Sequence, residues 1–165
     1  MVTIIVAYDQ NRVMGNKGVL PWRIPEEINH FKNMTIGNPC IMGRKTWQSL
    51  PKSFKPLPDR PNIIISKNDI VLQNSWRAFG NKNVHFESSV QDAIELSIVG
   101  YPYKEIFVIG GAQIYEYVLN QRLAHRILAS EIKGNYEGDT FFPSIDVKGK
   151  IVKEFESFNV VEYKL

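Results

Sequence analysis

The sequence contains a single cysteine, Cys40, so no disulfide bond can form within the chain. Cys40 lies in an apolar run, which predicts a small buried residue rather than a nucleophile. The three histidines, His30, His85 and His125, lack the close spacing typical of metal ligands. We therefore expect no metal site, and structural or exposed roles for the histidines.

Long hydrophobic runs and basic clusters are also missing. No segment approaches the ~20 apolar residues that a membrane helix requires. The apolar start at 1–7 has no basic lead and soon meets Asp9, which is unlike a signal peptide. The net charge is only +3, without a run of cations that would bind nucleic acid or membranes. We expect a cytoplasmic monomer that binds neither.

The hydrophobic pattern of this 165-residue chain alternates between strands and helices. A β-branched run at 3–8 predicts a central strand. Further strands are predicted at 40–43, 62–66, 70–72, 83–86, 105–109 and 125–132, and helices from 25 and at 44–50, 90–99 and 112–119. This order predicts an α/β fold: one domain with a central, mostly parallel, twisted sheet flanked by helices on both faces.

A carboxylate falls on the apolar face of the first predicted helix. Pro25 suits the first turn, where a missing N–H costs nothing. The residues that share one face at helical spacing are Ile24, Glu27, Ile28, Phe31 and Thr35. A buried Glu27 would need a compensating partner. The alternative is a first-turn glutamate that is favoured by the helix dipole and turned out to solvent.

Two helix starts could hold phosphate groups. Gly110 and Gly111 stand between a predicted strand and a helix, where glycines let the backbone approach a pyrophosphate. A tight strand-to-helix turn would explain them equally well, and no G-x-G-x-x-G motif supports an ordinary Rossmann site. Arg44 and Lys45 begin another helix, where cations are unfavourable without an anion. A solvated surface pair is the alternative there.

Five segments in one order resemble bacterial-type dihydrofolate reductases. They are Leu-Pro-Trp with Pro-x-Glu-x-x-x-Phe-Lys at 20–32, Pro-Cys-Ile-Met-Gly-Arg-Lys-Thr-Trp at 39–47, Leu-Pro-Asp-Arg-Pro-Asn-Ile-Ile-Ile-Ser at 57–66, Ile-Gly-Gly-Ala-Gln-Ile-Tyr at 109–115 and Gly-Asp-Thr-Phe-Phe-Pro at 138–143. The resemblance implies a single domain over 1–165 with an adenosine-binding subdomain at about 39–103. It implies an NADPH-dependent oxidoreductase of tetrahydrofolate synthesis and one-carbon metabolism, and a target of antifolate inhibitors.

The reaction implied is reduction of 7,8-dihydrofolate to 5,6,7,8-tetrahydrofolate, with hydride transfer to C6 and protonation of N5. For the cofactor, the resemblance implies a cis peptide between Gly110 and Gly111, a clamp for the 2′-phosphate, and a mobile loop at 9–24 that closes over the nicotinamide. The implied NADPH-binding residues are Ala7, Val13, Met14, Gly15, Asn16, Gly18, Val19, Gly43, Arg44, Lys45, Thr46, Ser66, Lys67, Gly110, Gly111, Ala112, Gln113, Ile114, Tyr115 and Thr140. The clamp would comprise Arg44, Lys45, Ser66 and Lys67.

For the substrate, the resemblance assigns catalytic roles to Glu27, Trp22 and Ser130. The Glu27 carboxylate would bind the pterin, Ser130 would hold Glu27 and a water, and the Trp22 N–H would hold the water too. Arg60 would bind the glutamate tail, with Lys32 and Lys52 as weaker partners. The remaining implied contacts are Ile5, Ala7, Leu20, Phe31, Leu50, Leu57, Ile109 and Tyr115; an ordinary core role remains the alternative for several of the apolar ones.

The sequence leaves two alternative functions open. A reductase of the same fold could act on a ribosylaminopyrimidine, although Glu27 together with Arg60 disfavours that substrate. A non-catalytic NADPH-binding or structural protein is the other alternative.

The sequence departs from the family pattern in two segments. The segment 67–89 is longer than is usual in the family. The end of the chain predicts a shortened hairpin at 150–155 and 160–165, turning through 157–159, or the loss of one strand.

Overall fold

The computed structural model describes residues 1–67, 74 and 80–165. Along these residues the strands are β1 (Val2–Asp9), β2 (Val13–Gly15), β3 (Cys40–Gly43), β4 (Asn62–Ile65), β5 (Val84–Glu87), β6 (Ile106–Val108), β7 (Arg126–Ile132), β8 (Thr140–Phe141), β9 (Lys150–Glu154) and β10 (Phe158–Lys164). The helices are α1 (Pro25–Thr35), α2 (Arg44–Ser49), α3 (Val90–Gly100) and α4 (Ala112–Asn120). The predicted strand at 70–72 lies outside the described residues.

Within the described residues, one sheet has the strand order β5-β4-β3-β6-β1-β7-β10-β9. The strands from β5 to β7 pair in parallel, and β10 pairs antiparallel with both β7 and β9. The predicted α/β fold with a mostly parallel sheet is confirmed. Because the chain moves outward from β1 to β5 and then returns to place β6 beside β1, the strand order reverses there. Ligands of open α/β sheets bind at the carboxyl ends of strands next to such a reversal.

Side chains alternate between the two faces of the sheet, and helices cover both. Ile4 and Val6 of β1 belong to a core cluster that includes residues of α3 and α4. Ile5 belongs to a separate cluster, on the face covered by Trp47 of α2 and Phe31 of α1. This second face carries Ala7 and Ser130, because paired residues of neighbouring strands point to the same side.

The C-terminal hairpin is present. Strands β9 and β10 pair antiparallel, so neither strand is lost. The predicted turn at 157–159 is wrong, because Phe158 is fully buried and pairs with Ile132 in β7. Burying this ring moves the turn to residues 155–157.

Two local features were not predicted. The loop after β1 contains β2, which pairs antiparallel with β8 in a separate small sheet. The proline-rich segment after α2 forms a 3₁₀ turn at Lys52–Phe54. In both places the backbone forms hydrogen bonds that the hydrophobic pattern of the sequence does not predict.

Asp9 fixes the base of the loop that follows β1. Its side chain is 1% exposed. One oxygen accepts hydrogen bonds from the backbone N–H groups of Asn11 and Val13, each at 2.9 Å, and the other accepts one from Tyr136 N at 2.7 Å. The carboxylate thus joins the start of the loop to the segment after β7.

We expect Asp9→Asn to destabilise the fold by about 1–3 kcal/mol, because an amide N–H₂ would face one of these backbone donors. Urea unfolding measures the loss. The exposed Asp146→Asn is the matched control and should have a smaller effect. Equal stability of Asp9→Asn and wild type would show that these three bonds contribute nothing.

Candidate active site

The carboxyl ends of β3, β4 and β6 bring together the proposed phosphate-binding residues. Gly43, the last residue of β3, pairs with Ile65 of β4, so Arg44 and Ser66 leave adjacent strands at the same edge. Gly43 N donates to Gly110 O at 2.8 Å, which places the Gly110–Gly111 pair beside them. Three separate sequence motifs therefore meet along one edge of the sheet.

The glycine pair lies directly against neighbouring side chains. The peptide between Gly110 and Gly111 is cis, as the resemblance implied. Gly110 has φ +118°, and a Cβ there would lie 3.3 Å from the Tyr115 ring, so a side chain is excluded by conformation and by space. The Tyr115 hydroxyl donates to Ile5 O at 2.8 Å and holds the ring in place. No side chain of the described residues caps the free N–H groups at the start of α4.

Ser66 is the buried polar group at this edge. It is 5% exposed, and its Oγ has no hydrogen-bond partner among the described residues. Arg44, Lys45 and Lys67 are exposed around it. A buried hydroxyl without a partner is uncommon in folded proteins and indicates a water or ligand atom at that position.

Glu27 is buried. Its side chain is 8% exposed, so the alternative of a glutamate turned out to solvent is wrong. The Ser130 hydroxyl is hydrogen-bonded to it. Burial raises the pKa of Glu27, and the bond from Ser130 lowers it by a smaller amount. The apolar surroundings therefore make the carboxyl group of Glu27 hold its proton more tightly than it would in water.

The Trp22 indole lies in the apolar cluster next to this acid. It is 7% exposed and belongs to a cluster with Ile132, Phe158 and Val160. Val160 pairs with Ser130 across β7 and β10, which places this cluster next to the Ser130–Glu27 pair. The indole Nε1 is buried without a partner among the described residues. Such a donor would hold a water or a ligand acceptor.

The predicted apolar contacts divide into core residues and rim residues. Ile5 and Leu57 are buried, while Phe31, Leu50 and Ile109 are half-buried and pack on the same cluster. Ile5 and Leu57 therefore also have the ordinary core role left open by the sequence. Ala7 packs in the Trp22 cluster instead. Leu20, 52% exposed, belongs to neither cluster.

Two large apolar side chains, in α1 and in the 3₁₀ turn after α2, are exposed. Ile28 is 45% exposed, although it lies on the apolar face of α1 beside Glu27. Phe54, in the 3₁₀ turn, is 48% exposed. Ile28 directly follows Glu27 and lies on the same apolar face of α1. This position on the apolar face is the sequence signal for an exposed hydrophobic side chain next to the acid. Nothing in the sequence singled out Phe54.

Arg60 is a buried cation. It is 3% exposed, its Nε donates to Pro58 O at 2.7 Å, and its Nη1 donates to Thr35 Oγ1 at 2.6 Å. No carboxylate of the described residues forms an ion pair with it. Burial lowers the pKa of Arg60, and the neighbouring Cys40 and Asp59 raise it by smaller amounts. Lys32 and Lys52 are exposed by comparison.

The proposed mobile loop is attached to the segment around β8. Gly15 of β2 pairs with Thr140 of β8, and Asp139 N donates to Gly15 O at 3.0 Å. The Lys17 N–H donates to the Asp139 carboxylate at 3.1 Å. The structure thus brings the predicted loop residues Val13, Met14 and Gly15 beside Thr140, which lies far from them in sequence.

Comparison with known proteins gives the family. A family model described as "Dihydrofolate reductase" matches residues 1–161. The chain belongs to the dihydrofolate reductase family. The resemblance inferred from the five motifs is therefore confirmed, and so is the oxidoreductase class that it implied.

Individual dihydrofolate reductases match over most of the chain. The enzyme of Neisseria gonorrhoeae is 41% identical over 145 residues, which cover 88% of this chain and 80% of that protein. The enzyme of Candida albicans is 38% identical over 156 residues, covering 85% and 74%. The bifunctional dihydrofolate reductase-thymidylate synthase of Daucus carota is 36% identical over 98% of this chain, which spans only 31% of that protein. None of the helices in the described part of the chain is long and apolar enough to span a membrane.

Proposed function

We propose that this chain reduces 7,8-dihydrofolate to 5,6,7,8-tetrahydrofolate with NADPH. The observation that carries this proposal is the buried Glu27, which is held by Ser130 and has a raised pKa. Family membership supports the reaction class and a nicotinamide cofactor in general. The choice of NADPH and the role of each residue are our inferences.

The residues around Glu27 suit recognition of a pterin. A carboxylate can accept two parallel hydrogen bonds from the amino group and ring N–H of the pterin. The Trp22 N–H and the Ser130 hydroxyl can hold a water that passes a proton towards N5. Bound NADPH would supply the hydride for C6. The half-buried rings and aliphatic chains of Phe31, Leu50 and Ile109 would orient the substrate and exclude water.

The phosphate groups of NADPH suit the edge at Gly43 and Gly110. The glycine pair leaves room for a close approach of the pyrophosphate to the backbone. Ser66 Oγ is a buried donor without a partner in the described part of the chain, and Arg44, Lys45 and Lys67 are cations near it. A 2′-phosphate is the anion that would satisfy this group by charge-assisted hydrogen bonds.

Arg44→Ala should weaken NADPH binding by about 1–3 kcal/mol and leave NADH binding nearly unchanged, because only NADPH carries the 2′-phosphate. Dissociation constants for both cofactors, measured by fluorescence titration, test this. The exposed Lys104→Ala, at the other end of the sheet before β6, is the control. Equal weakening of NADPH and NADH would mean that Arg44 is assigned wrongly.

One assay separates the proposed function from its alternatives. NADPH oxidation should depend on dihydrofolate and should not occur with a ribosylaminopyrimidine. Turnover of the pyrimidine instead would favour the related reductase. NADPH binding without turnover of either compound would favour a non-catalytic protein.

Several other expectations remain proposals. They are a monomer in the cytoplasm, binding of antifolate inhibitors, and a single domain over 1–165 with the adenosine-binding subdomain at about 39–103. The described part of that subdomain contains the parallel strands β3, β4 and β5 and the helices α2 and α3.

A further inference from the structure

His30 lies one turn from Glu27 on α1, and the proposed reaction gives it no role. Residues three apart on a helix have Cβ atoms about 5–6 Å apart on the same face. One nitrogen of the His30 ring, Nε2, is buried and has no hydrogen-bond partner among the described residues. Among the described residues, the other buried nitrogen without a partner is Trp22 Nε1. Trp22 lies three residues before the start of α1, and His30 lies three residues after the acid.

The ring of His30 is held by aromatic side chains of the C-terminal hairpin. Its centroid lies 6.2 Å from the ring of Phe155 and 6.2 Å from that of Phe158. Phe158 shares a cluster with Trp22 and Val160, and Val160 pairs with Ser130, the partner of Glu27. His30 and Glu27 therefore stand over neighbouring positions of the same face of β7 and β10.

The environment keeps the imidazole neutral. Burial and the positive charge of Lys153 in β9 both lower the pKa of His30. On α1 the charged neighbours at helical spacing are Glu26 and Glu27, and Phe158 of β10 brings no charge to the ring. A neutral ring has a single N–H donor, and a ring that carries its hydrogen on the buried Nε2 requires an acceptor there.

We propose that His30 is a positioning residue for Glu27, donating its Nε2–H to a buried water that in turn donates to the carboxylate. A carboxylate only accepts hydrogen bonds, so the bridging water must donate to it and can take the histidine N–H on its oxygen. Residues one turn apart have Cβ atoms about 5–6 Å apart, and a water placed between these two side chains would have two polar partners. The bond would stabilise charged Glu27 and so oppose the effect of burial on its proton affinity.

This inference rests on the proposed reaction only for its kinetic consequence. The titration of Glu27 in the free enzyme can be followed by NMR with ¹³C-labelled glutamate, and Glu27→Gln assigns the signal. His30→Phe keeps a ring against Phe155 and Phe158 but removes the donor. His30→Gln keeps a donor at similar reach. His85→Phe is the control, since that histidine bonds Tyr101 rather than the site.

In His30→Phe the titration midpoint of Glu27 should move upward by roughly one pH unit, because a lost hydrogen bond to the charged form favours the proton. His30→Gln should stay close to wild type, as should His85→Phe. The midpoint of single-turnover hydride transfer to dihydrofolate should move in the same direction in His30→Phe.

Two results would overturn the role of His30. One is an unchanged Glu27 midpoint in a folded His30→Phe; the other is a His30→Gln variant that shifts as far as His30→Phe, since its donor would then be irrelevant. Failure of the wild type to reduce dihydrofolate would instead refute the proposed function, while the NMR titration would still decide the role of His30.

Discussion

Glu27→Gln should lower the rate of hydride transfer to dihydrofolate at pH 7 by about a hundredfold or more. The substitution keeps the shape of the side chain but removes its charge and its proton, and general acid–base groups typically contribute factors of this size. NADPH affinity should barely change, because the cofactor edge lies at Gly43 and Gly110 rather than at α1. Single-turnover measurements of NADPH absorbance give the rate directly.

The pH profile separates loss of the acid from loss of structure. The rate of Glu27→Gln should recover partly as the pH falls, since solvent can then protonate N5 before hydride transfer. Glu26→Gln is the matched control: Glu26 is exposed on the same turn of α1 and should keep the wild-type rate. A Glu27→Gln rate equal to wild type at pH 7 would remove Glu27 from the mechanism.

The same substitution should stabilise the fold at neutral pH. The pKa of Glu27 is raised by burial, so the folded state holds its proton more tightly than the unfolded state does. Stability is therefore lost as the pH rises past the ordinary value of 4.5 and through the higher folded-state value. The advantage of Glu27→Gln over wild type should grow across that window and vanish below it. Urea unfolding at several pH values measures the difference.

Arg60→Lys should raise the KM for dihydrofolate by about ten- to a hundredfold while NADPH binding is spared. The buried guanidinium uses Nε and Nη1 to hold Pro58 and Thr35, which aims the remaining N–H groups for a bidentate bond to a carboxylate. A lysine has neither the planar fork nor these two anchoring bonds. Steady-state kinetics with saturating NADPH give the KM.

The control for Arg60→Lys is a change of substrate. A reduced pterin without the glutamate tail should be turned over equally well by wild type and variant, because it does not reach Arg60. A comparable loss on that compound would indicate a general distortion of the site. An unchanged KM for dihydrofolate would show that the tail binds elsewhere, with exposed Lys32 and Lys52 as the remaining candidates.

Local sequence patterns predicted most of the secondary structure correctly. The β-branched run at β1, the proline at the start of α1 and the glycines before α4 are short-range signals, and the structure has elements at each. The predictions failed where a distant partner decides the outcome. The hairpin turn moved because Phe158 is buried against the Trp22 cluster, and β2 formed because β8 approaches it.

The candidate site shows the same division. The motifs identified the residue types, but each left two interpretations open. For Glu27, the hydrogen bond from Ser130 on β7 and the burial of the side chain decided against a solvent-facing glutamate. Ile28 follows the same helical pattern and was expected to be buried, yet it is exposed. Periodicity predicts which face of a helix is apolar, not how much of that face the rest of the protein covers.

The sequence by itself determined the family, the order of the main strands and helices, and the chemical groups available: one acid, one arginine and two helix starts beside glycines. These depend on residue identity and on neighbours in the chain. Only the tertiary structure decided that Ser66 Oγ, Trp22 Nε1 and His30 Nε2 are buried without partners within residues 1–67, 74 and 80–165. Whether a polar atom is satisfied depends on distant segments that approach it, and a sequence of local propensities does not contain that information.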